Sequence, residues 1–426
     1  MNLRSTTTKA VRDGAVIAVA MGVMNVTTYA FTILAARLLG PAEYGALAAV
    51  IGMVLIVNVL SLGLQATGAR RVSAVPTDRI AIEHDVMSAG YRSSAALGLL
   101  TLLASPVIAV LLHLDSWLVP AMVAVTAVPL TVMGAQAGIL QGERRWGPLA
   151  GIYLAVGLGR LGFGALGLLV ERNTLGAMVG VALGAAVPVV IGAAALRHPG
   201  RRPGPDRPAR VRRDRSERWA EGGVLREVGH NSHALLAFFA LSNVDVVTAR
   251  ITLDEHQAGL YAGGLILAKA VLFLPQFIVV LAFPSMASSE SRDSARRNSL
   301  LLVLAIGSVT VVGVAVLHRI AVEFVGGSAY AEIGSLLWAF AALGTLLAML
   351  QIMVYDAVAR QHRRAVYLVW AALLAVLCAI PFVSTVTEWL TVVAVADASA
   401  LLLLMATLRP SRDETAEASE DAAAVR

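Results

Sequence analysis

Long apolar runs of helical length, separated by short polar connections, recur along the whole chain. A bilayer core about 30 Å thick needs about 20 apolar residues per helix, and twelve stretches meet that length. The predicted spans are 14–36, 45–69, 88–112, 117–140, 148–170, 175–196, 230–252, 259–284, 299–318, 331–355, 365–383 and 388–408. Barrel strands would instead show alternating segments of about 10 residues. The pattern therefore predicts an all-α polytopic membrane protein with twelve transmembrane helices.

Composition agrees with this prediction and excludes several classes of protein. The chain is 58% hydrophobic and 15% charged, whereas soluble globular proteins carry about 25% charged residues. Cys378 is the single cysteine, which excludes intrachain disulfides and multi-cysteine metal sites. His230 and His233 lack an evident third ligand, so we expect no metal site. Without a Gly-rich phosphate loop we expect no cofactor and no ATP-driven transport by this chain alone.

The distribution of basic residues orients the helices. Of the 34 Lys and Arg, 28 fall on the side of the N-terminus, four on the opposite side and two inside spans. Because cytoplasmic loops carry the Lys and Arg excess, both termini are predicted to be cytoplasmic. The first apolar run is longer than the 7–15 residues of a signal peptide, so we interpret it as an uncleaved helix of a plasma (inner) membrane protein.

A basic segment divides the chain into two sets of six spans. It contains ten Arg, four Pro and five acidic residues. We predict an N-terminal six-helix bundle at 1–196, a basic cytoplasmic linker at 197–229, a C-terminal six-helix bundle at 230–408 and a disordered cytoplasmic tail at 409–426. The linker is interpreted as solvated sequence, with contact to anionic membrane lipids as the functional alternative. Nucleic acid binding is not expected.

The two halves resemble each other at matching positions. Ala36-Arg37-Leu38 precedes Glu43-Tyr44-Gly45, and Ala249-Arg250-Ile251 precedes Gln257-Ala258-Gly259, at offsets of 213 and 214 residues. Double arginines at 144–145 and 363–364 follow the fourth span of each half. These matches favour a parallel internal repeat of six helices.

Gly40 and Pro41 mark the end of the first span. Proline cannot continue a helix and disfavours helical geometry in the residue before it. We therefore predict a short outer hairpin here, with Gly45 permitting a tight re-entry into the second span.

Three segments of the first half resemble a known family. They are AARLLGPAEYGALA at 35–48, LGLQ at 62–65 and ARRVS at 69–73. They resemble the N-terminal signature of bacterial polysaccharide exporters, the Wzx-type lipid-linked oligosaccharide flippases of the multidrug/oligosaccharidyl-lipid/polysaccharide (MOP) superfamily. The resemblance implies two six-helix bundles around a central cavity that opens alternately to either side, as in the related MATE transporters.

Two cations inside the predicted spans are candidate ligands for a diphosphate. Arg160 lies mid-span between glycines, and Lys269 lies in the eighth span with Gln276 seven residues later on the same face. An ionisable residue at a helix centre costs about 2.5 to 3.5 kcal/mol and normally faces a cavity or a partner. One cation from each half would bind the same diphosphate. The alternative is that Arg160 and Lys269 are buried for a structural role.

Polar stripes on the first two spans are candidates for binding sugar hydroxyls. Asn58, Ser61 and Gln65 share one face of the second span, and Asn25 begins a similar stripe with Thr28 and Thr32 on the first. Hydrogen bonding between helices explains the same spacing, and the sequence leaves both interpretations open.

Asp245 and Asp397 lie far inside spans and are candidates for proton or cation coupling, or for salt bridges to Arg160 or Lys269. The leading hypothesis is a flippase or exporter of a polyprenyl-diphosphate-linked oligosaccharide. The alternative is a drug/cation antiporter of the same superfamily. The short outer loops hold no catalytic cluster, so an enzyme is not expected.

Overall fold

The computed structural model describes residues 3–74, 79–197, 224–272, 292–359 and 363–407, and every regular element in these ranges is a helix. The α-helices are α1 Leu3–Val57, α2 Val59–Ala74, α3 Arg79–Leu111, α4 Leu118–Gly142, α5 Trp146–Val170, α6 Thr174–Arg197, α7 Val224–Thr252, α8 Glu255–Leu272, α9 Arg292–Val316, α10 His318–Val325, α11 Leu337–Ala359, α12 Arg363–Ala379 and α13 Val386–Thr407. Two 3-10 helices, Ser328–Leu336 and Ile380–Phe382, precede α11 and follow α12.

The helices lie where the apolar runs predicted them, and ten within the described ranges are long and apolar enough to cross a membrane. The first of these ten, Gly14–Ala74, contains both the first and the second predicted spans. The eighth predicted span begins in α8, and its second part lies outside the described residues. The protein is therefore a multi-pass helical membrane protein, while the number twelve and the cytoplasmic termini stay predictions.

A single residue breaks α1. Gly40 has φ +74° and ψ 175°, a backbone conformation that side chains disfavour, and Pro41 begins the next helical segment. The predicted break at Gly40 and Pro41 is thus present. The predicted role of Gly45 in a turn is wrong, because Gly45 lies inside this second helical segment and packs against the backbone of Gly259.

Helices α1–α6 pack chiefly on one another, and so do helices α7–α13, while α1, α2 and α3 also contact α7 or α8 of the second group. We call residues 3–197 the first half and residues 224–407 the second half. Glycines allow close approach inside the first half, where Gly159 of α5 meets the backbone of Gly184 of α6. Large side chains such as Phe31, Phe238 and Trp389 are fully buried in a core that both halves share.

Most of the predicted linker, 198–223, and the predicted tail lie outside the described residues. Helix α7 begins at Val224, six residues before the predicted seventh span. Its first turns contact the first half, because Val224 and Val228 pack with Leu64 and Ala89.

Candidate functional site

Six polar side chains from both halves converge in the middle of the helices. We call this set the central polar cluster: Arg160 of α5, Asn243 and Asp245 of α7, Tyr261 and Lys269 of α8, and Asp397 of α13. Four of the predicted site residues, Arg160, Lys269, Asp245 and Asp397, therefore belong to one electrostatically connected group.

Lys269 is held by an amide. Its Nζ donates a hydrogen bond of 2.8 Å to Oδ1 of Asn243, one helix away. Asp245 attracts the ammonium electrostatically, whereas Arg160 repels it. A neutral partner fixes the position of the lysine but leaves its positive charge uncompensated by direct contact, so the ammonium retains capacity for an anion.

Asp245 is almost fully buried and has several donors. One carboxylate oxygen accepts the backbone N–H of Val246 at 2.8 Å, and the other accepts the hydroxyl of Tyr261 at 3.2 Å. The indole N–H of Trp389 donates to the backbone carbonyl of Asp245 at 2.9 Å. These contacts join α7, α8 and α13 at the depth of the cluster.

Of the two carboxylates in the cluster, Asp397 has the fewer hydrogen-bond partners among the described residues. Its side chain is 0% exposed, and neither carboxylate oxygen has a hydrogen-bond partner among the described residues. Its charge is repelled by that of Asp245. An ionised carboxylate without hydrogen-bond donors is costly to bury.

Arg160 carries the positive charge that the first half contributes. Its guanidinium carbon lies 5.6 Å from the centre of the Phe31 ring, in the geometry of a cation–π contact. Its Nε is buried and has no hydrogen-bond partner within the described ranges. Helix α5 approaches α1 closely at this depth because Gly157 and Gly164 lie against Met24 and Phe31. Within the described residues, the guanidinium is therefore positioned by packing and not by a carboxylate.

The predicted polar stripe of the second span lies elsewhere in the first half. The hydroxyl of Ser61 donates to the carbonyl of Leu130 at 2.7 Å. The amide of Gln65 donates to Gln141 at 2.9 Å and to the Tyr153 hydroxyl at 2.8 Å. These bonds join α2 to α4 and α5, which favours hydrogen bonding between helices for this part of the stripe.

The remaining predicted polar residues have different surroundings. Oδ1 of Asn58 is buried without a partner among the described residues, so it retains capacity as an acceptor. Asn25 is half-buried and has a polar or electrostatic partner. The Thr32 hydroxyl bonds to its own helix at the carbonyl of Thr28. Gln276 lies outside the described residues.

The sequence interpretation missed three members of the site region. Asn243, two residues before Asp245, was not assigned a role, although a second buried polar residue in one span is itself a signal. Tyr261 lies two residues after the repeated segment that ends at Gly259, and it was not assigned a role. Trp389 had no sequence signal, because a tryptophan near a span end ordinarily indicates the membrane interface.

A separate cavity of about 740 Å³ lies at the end of the helices predicted to face outside, and it includes His318, Arg319, Glu323 and Trp338 in its lining. All of its lining residues come from the second half, from α9 to α11. It therefore lacks the contribution from both halves that distinguishes the central polar cluster.

Residues 10–210 match the polysaccharide biosynthesis protein family. This match confirms the resemblance that the motifs at 35–48, 62–65 and 69–73 indicated. The polysaccharide biosynthesis family match covers the first half and the start of the linker. A search of curated proteins gives no match.

Solved structures share the fold across almost the whole chain. The lipid II flippase MurJ in an inward closed conformation aligns with a TM-score of 0.68 at 10% identity, covering 92% of this chain and 87% of MurJ. An outward-facing multidrug resistance MATE family transporter of the MOP superfamily aligns with a TM-score of 0.59 at 12% identity, covering 94% and 97%. The eukaryotic MATE transporter AtDTX14 aligns with a TM-score of 0.52 at 13% identity, covering 98% and 99%.

These similarities establish a MATE- and MurJ-like helical fold.

Proposed function

We propose that this protein is a flippase that moves a polyprenyl-diphosphate-linked oligosaccharide, or a related polysaccharide precursor, from the inner to the outer leaflet of the plasma membrane. Export would proceed by alternating access between the two halves, and no covalent bond would be made or broken.

The observation that carries this proposal is a pair of cations inside the spans, one from each half. Arg160 and Lys269 come from different halves and interact electrostatically. Neither is neutralised by a direct ion pair within the described residues, and Nε of Arg160 is an unused donor. The two positive charges repel each other, and a diphosphate that contacts both would convert this repulsion into attraction. Guanidinium groups suit phosphate oxygens because their donors form a fixed fork.

The sugar portion of the substrate requires hydroxyl partners near this charged centre. Asn58 offers a buried carbonyl oxygen without a partner, and we propose Asn25, Gln65 and Gln276 as further contacts. For Gln65, substrate would compete with its present bonds to Gln141 and Tyr153.

Depletion of the protein in its native cell tests this function. We expect the lipid-linked oligosaccharide to accumulate while surface polysaccharide disappears, since synthesis on the inner leaflet would continue without export. Mass spectrometry of the lipid extract gives both the amount and the mass of the precursor. Re-expression of the wild-type chain is the control, and it should restore both quantities. Unchanged glycolipids after depletion would contradict the flippase proposal.

We propose that Asp245 and Asp397 couple transport to a proton or a cation. Asp397 supports this because it is fully buried with both oxygens unpartnered among the described residues, beside a second carboxylate. Binding of a positive ion would remove the repulsion between the two carboxylates, and its release would restore it.

Asp397→Asn is expected to abolish the dependence of transport on the ion gradient while leaving substrate binding by Arg160 and Lys269 intact. The measurement is flipping in proteoliposomes with the sodium or the proton gradient imposed separately. Glu388→Gln is the matched control, because this carboxylate lies on the same helix but is exposed and bonds to Ser384. Equal gradient dependence in Asp397→Asn and wild type would exclude the coupling role.

The same two carboxylates favour a drug/cation antiporter as the second candidate, for which they would be the main sites. Under that function, depletion would leave glycolipids unchanged and raise sensitivity to cationic drugs. The predicted basic linker would, in either case, contact anionic membrane lipids at the cytoplasmic surface.

A further inference from the structure

Two arginines cross between the halves at the end of the helices predicted to face outside, which we call the outer end. Nη2 of Arg37, in α1 before the break at Gly40, donates to the backbone carbonyl of Glu323 in α10 at 2.6 Å. Nε and Nη2 of Arg250, in the last turn of α7, donate to the carbonyls of Leu112 and His113 at 3.1 and 3.3 Å. Each arginine therefore bonds to the backbone of the opposite half.

The two contacts are equivalent in the internal repeat. Arg37 and Arg250 occupy the same position in the matched segments, 213 residues apart. Their acceptors also correspond, because Leu112 and His113 follow the third helix of the first half, α3, and Glu323 lies in α10, which follows the third predicted span of the second half. A contact that occurs in both directions across the same interface is a property of the repeat and not of one loop.

The acceptors are groups that helices leave available. The last four carbonyls of a helix have no intrahelical donor, and the C-terminal end carries the negative part of the helix dipole. Glu323 lies in the last turn of α10, and Leu112 follows the last residue of α3. His113 has φ +51°, which ends the helical path directly after α3. A guanidinium group at each position supplies both the missing donors and a compensating charge.

The surrounding contacts show that these bonds span a closed junction. The backbones of Gly45 and Gly259 approach so closely that an added Cβ on Gly45 would lie 2.9 Å from the Gly259 Cα. The Tyr330 hydroxyl of the second half donates to the Ala36 carbonyl of the first at 3.3 Å, and the Tyr330 ring meets Tyr44 edge to face at 6.4 Å.

The two arginines differ in burial. Arg250 is 4% exposed and also pairs with Glu255 of its own half at 2.9 Å, whereas Arg37 is exposed. Solvent competes with the bond of Arg37 but is excluded from those of Arg250, so Arg250 contributes more to holding the junction.

We propose that Arg37 and Arg250 form a two-part latch that holds the outer end closed, with Arg250 as the stronger part. Opening toward the outside would require both guanidinium groups to release backbone carbonyls of the opposite half at the same time. The role of the latch in export rests on the proposed function, but its effect on the conformation of the protein alone does not.

The test uses the purified full-length chain in nanodiscs with a pair of spin labels across the outer end. Cys378→Ser removes the native thiol, and Arg172→Cys and Ala329→Cys place one label on an exposed residue of each half. Electron–electron double resonance then gives the ratio of short to long separations. We expect Arg250→Ala to shift this ratio toward long separations by at least about tenfold, the equivalent of one hydrogen bond to a charged group. We expect a smaller shift for Arg37→Ala and the largest shift for the double variant.

Two further variants keep the test specific. Arg319→Ala removes an exposed arginine in the lining of the outer cavity and should leave the ratio unchanged. Glu255→Gln removes the same-half partner of Arg250 but leaves its bonds to Leu112 and His113. If Glu255→Gln reproduces the shift, or if the double arginine variant shows none, the latch does not exist. Should Arg250→Ala fail to fold, Arg250→Gln retains side-chain donors and is expected to give an intermediate shift.

These outcomes are independent of the depletion experiment. A shifted ratio with unchanged glycolipids would support the latch and contradict the flippase. Accumulated glycolipid with an unshifted ratio would support the flippase and contradict the latch.

Discussion

Replacing Arg160 with alanine is expected to reduce polysaccharide export by at least about tenfold while leaving the amount of folded protein in the membrane nearly unchanged. A charged hydrogen bond contributes about 1.5 to 3 kcal/mol, and 1.36 kcal/mol corresponds to a factor of ten. Arg160 bonds to no carboxylate among the described residues, so its removal leaves no buried anion behind. The loss of the cation–π contact with Phe31 costs about 2 kcal/mol at a desolvated site, which is less than the total stability of about 5 to 15 kcal/mol that folded proteins have.

The measurement is surface polysaccharide per copy of membrane-inserted protein in cells that lack the native chain. Arg172→Ala is the matched control, because this arginine is exposed beyond the end of α5 and should leave export unchanged. Arg160→Lys keeps the charge but not the forked donors, and we expect partial activity from it. A normal export rate in Arg160→Ala would remove this residue from the substrate site. Loss of the folded protein would assign it a structural role.

Gly259→Ala is expected to prevent closure of the outer end and to reduce export by at least about tenfold. An added Cβ at this position would overlap the backbone carbonyl of Pro41, which cannot move away by rotating a side chain. Overpacking of this kind costs about 1 to 3 kcal/mol, and separation of the two halves at the outer end relieves it. The equilibrium should therefore shift toward the open arrangement.

Spin labels on Arg172→Cys and Ala329→Cys report this shift directly, and the export assay reports its consequence. Gly313→Ala is the control, since an added Cβ there meets nothing within 4 Å. Short separations retained in Gly259→Ala would show that the contact with Pro41 does not govern closure.

The sequence predicted the helices well because a chain segment inside lipid must satisfy its own backbone hydrogen bonds, and a helix does so. Each apolar run had to be helical, and helices α4 to α6, α12 and α13 follow those runs closely. Helices α3 and α9 begin several residues before their predicted spans, and the short helix α10 lies where a connection was predicted. Gly40 and Pro41 were correctly placed at the first break, since their backbone preferences are local. The role of Gly45 was wrong because it depends on Gly259, more than 200 residues later, and no local property of the sequence reports such a contact.

The site was predictable only in part, because it too depends on contacts between residues that are far apart in the sequence. Arg160, Lys269, Asp245 and Asp397 were identifiable because charges are rare inside spans. Their convergence was only assumed, and it depends on how α5, α8 and α13 pack. The surroundings of Gln65 could not be predicted from its position on the helix. Its spacing is the same whether it faces a substrate or, as in this structure, Gln141 and Tyr153.

The contact between Gly45 and Gly259 limits which residues can occupy both positions. A side chain on either glycine would meet backbone of the opposite half, at the Cα of Gly259 for Gly45 and at the carbonyl of Pro41 for Gly259. Because both residues already lack a side chain, a larger residue at one position cannot be compensated by a smaller residue at the other. Each half therefore restricts the sequence of the other half.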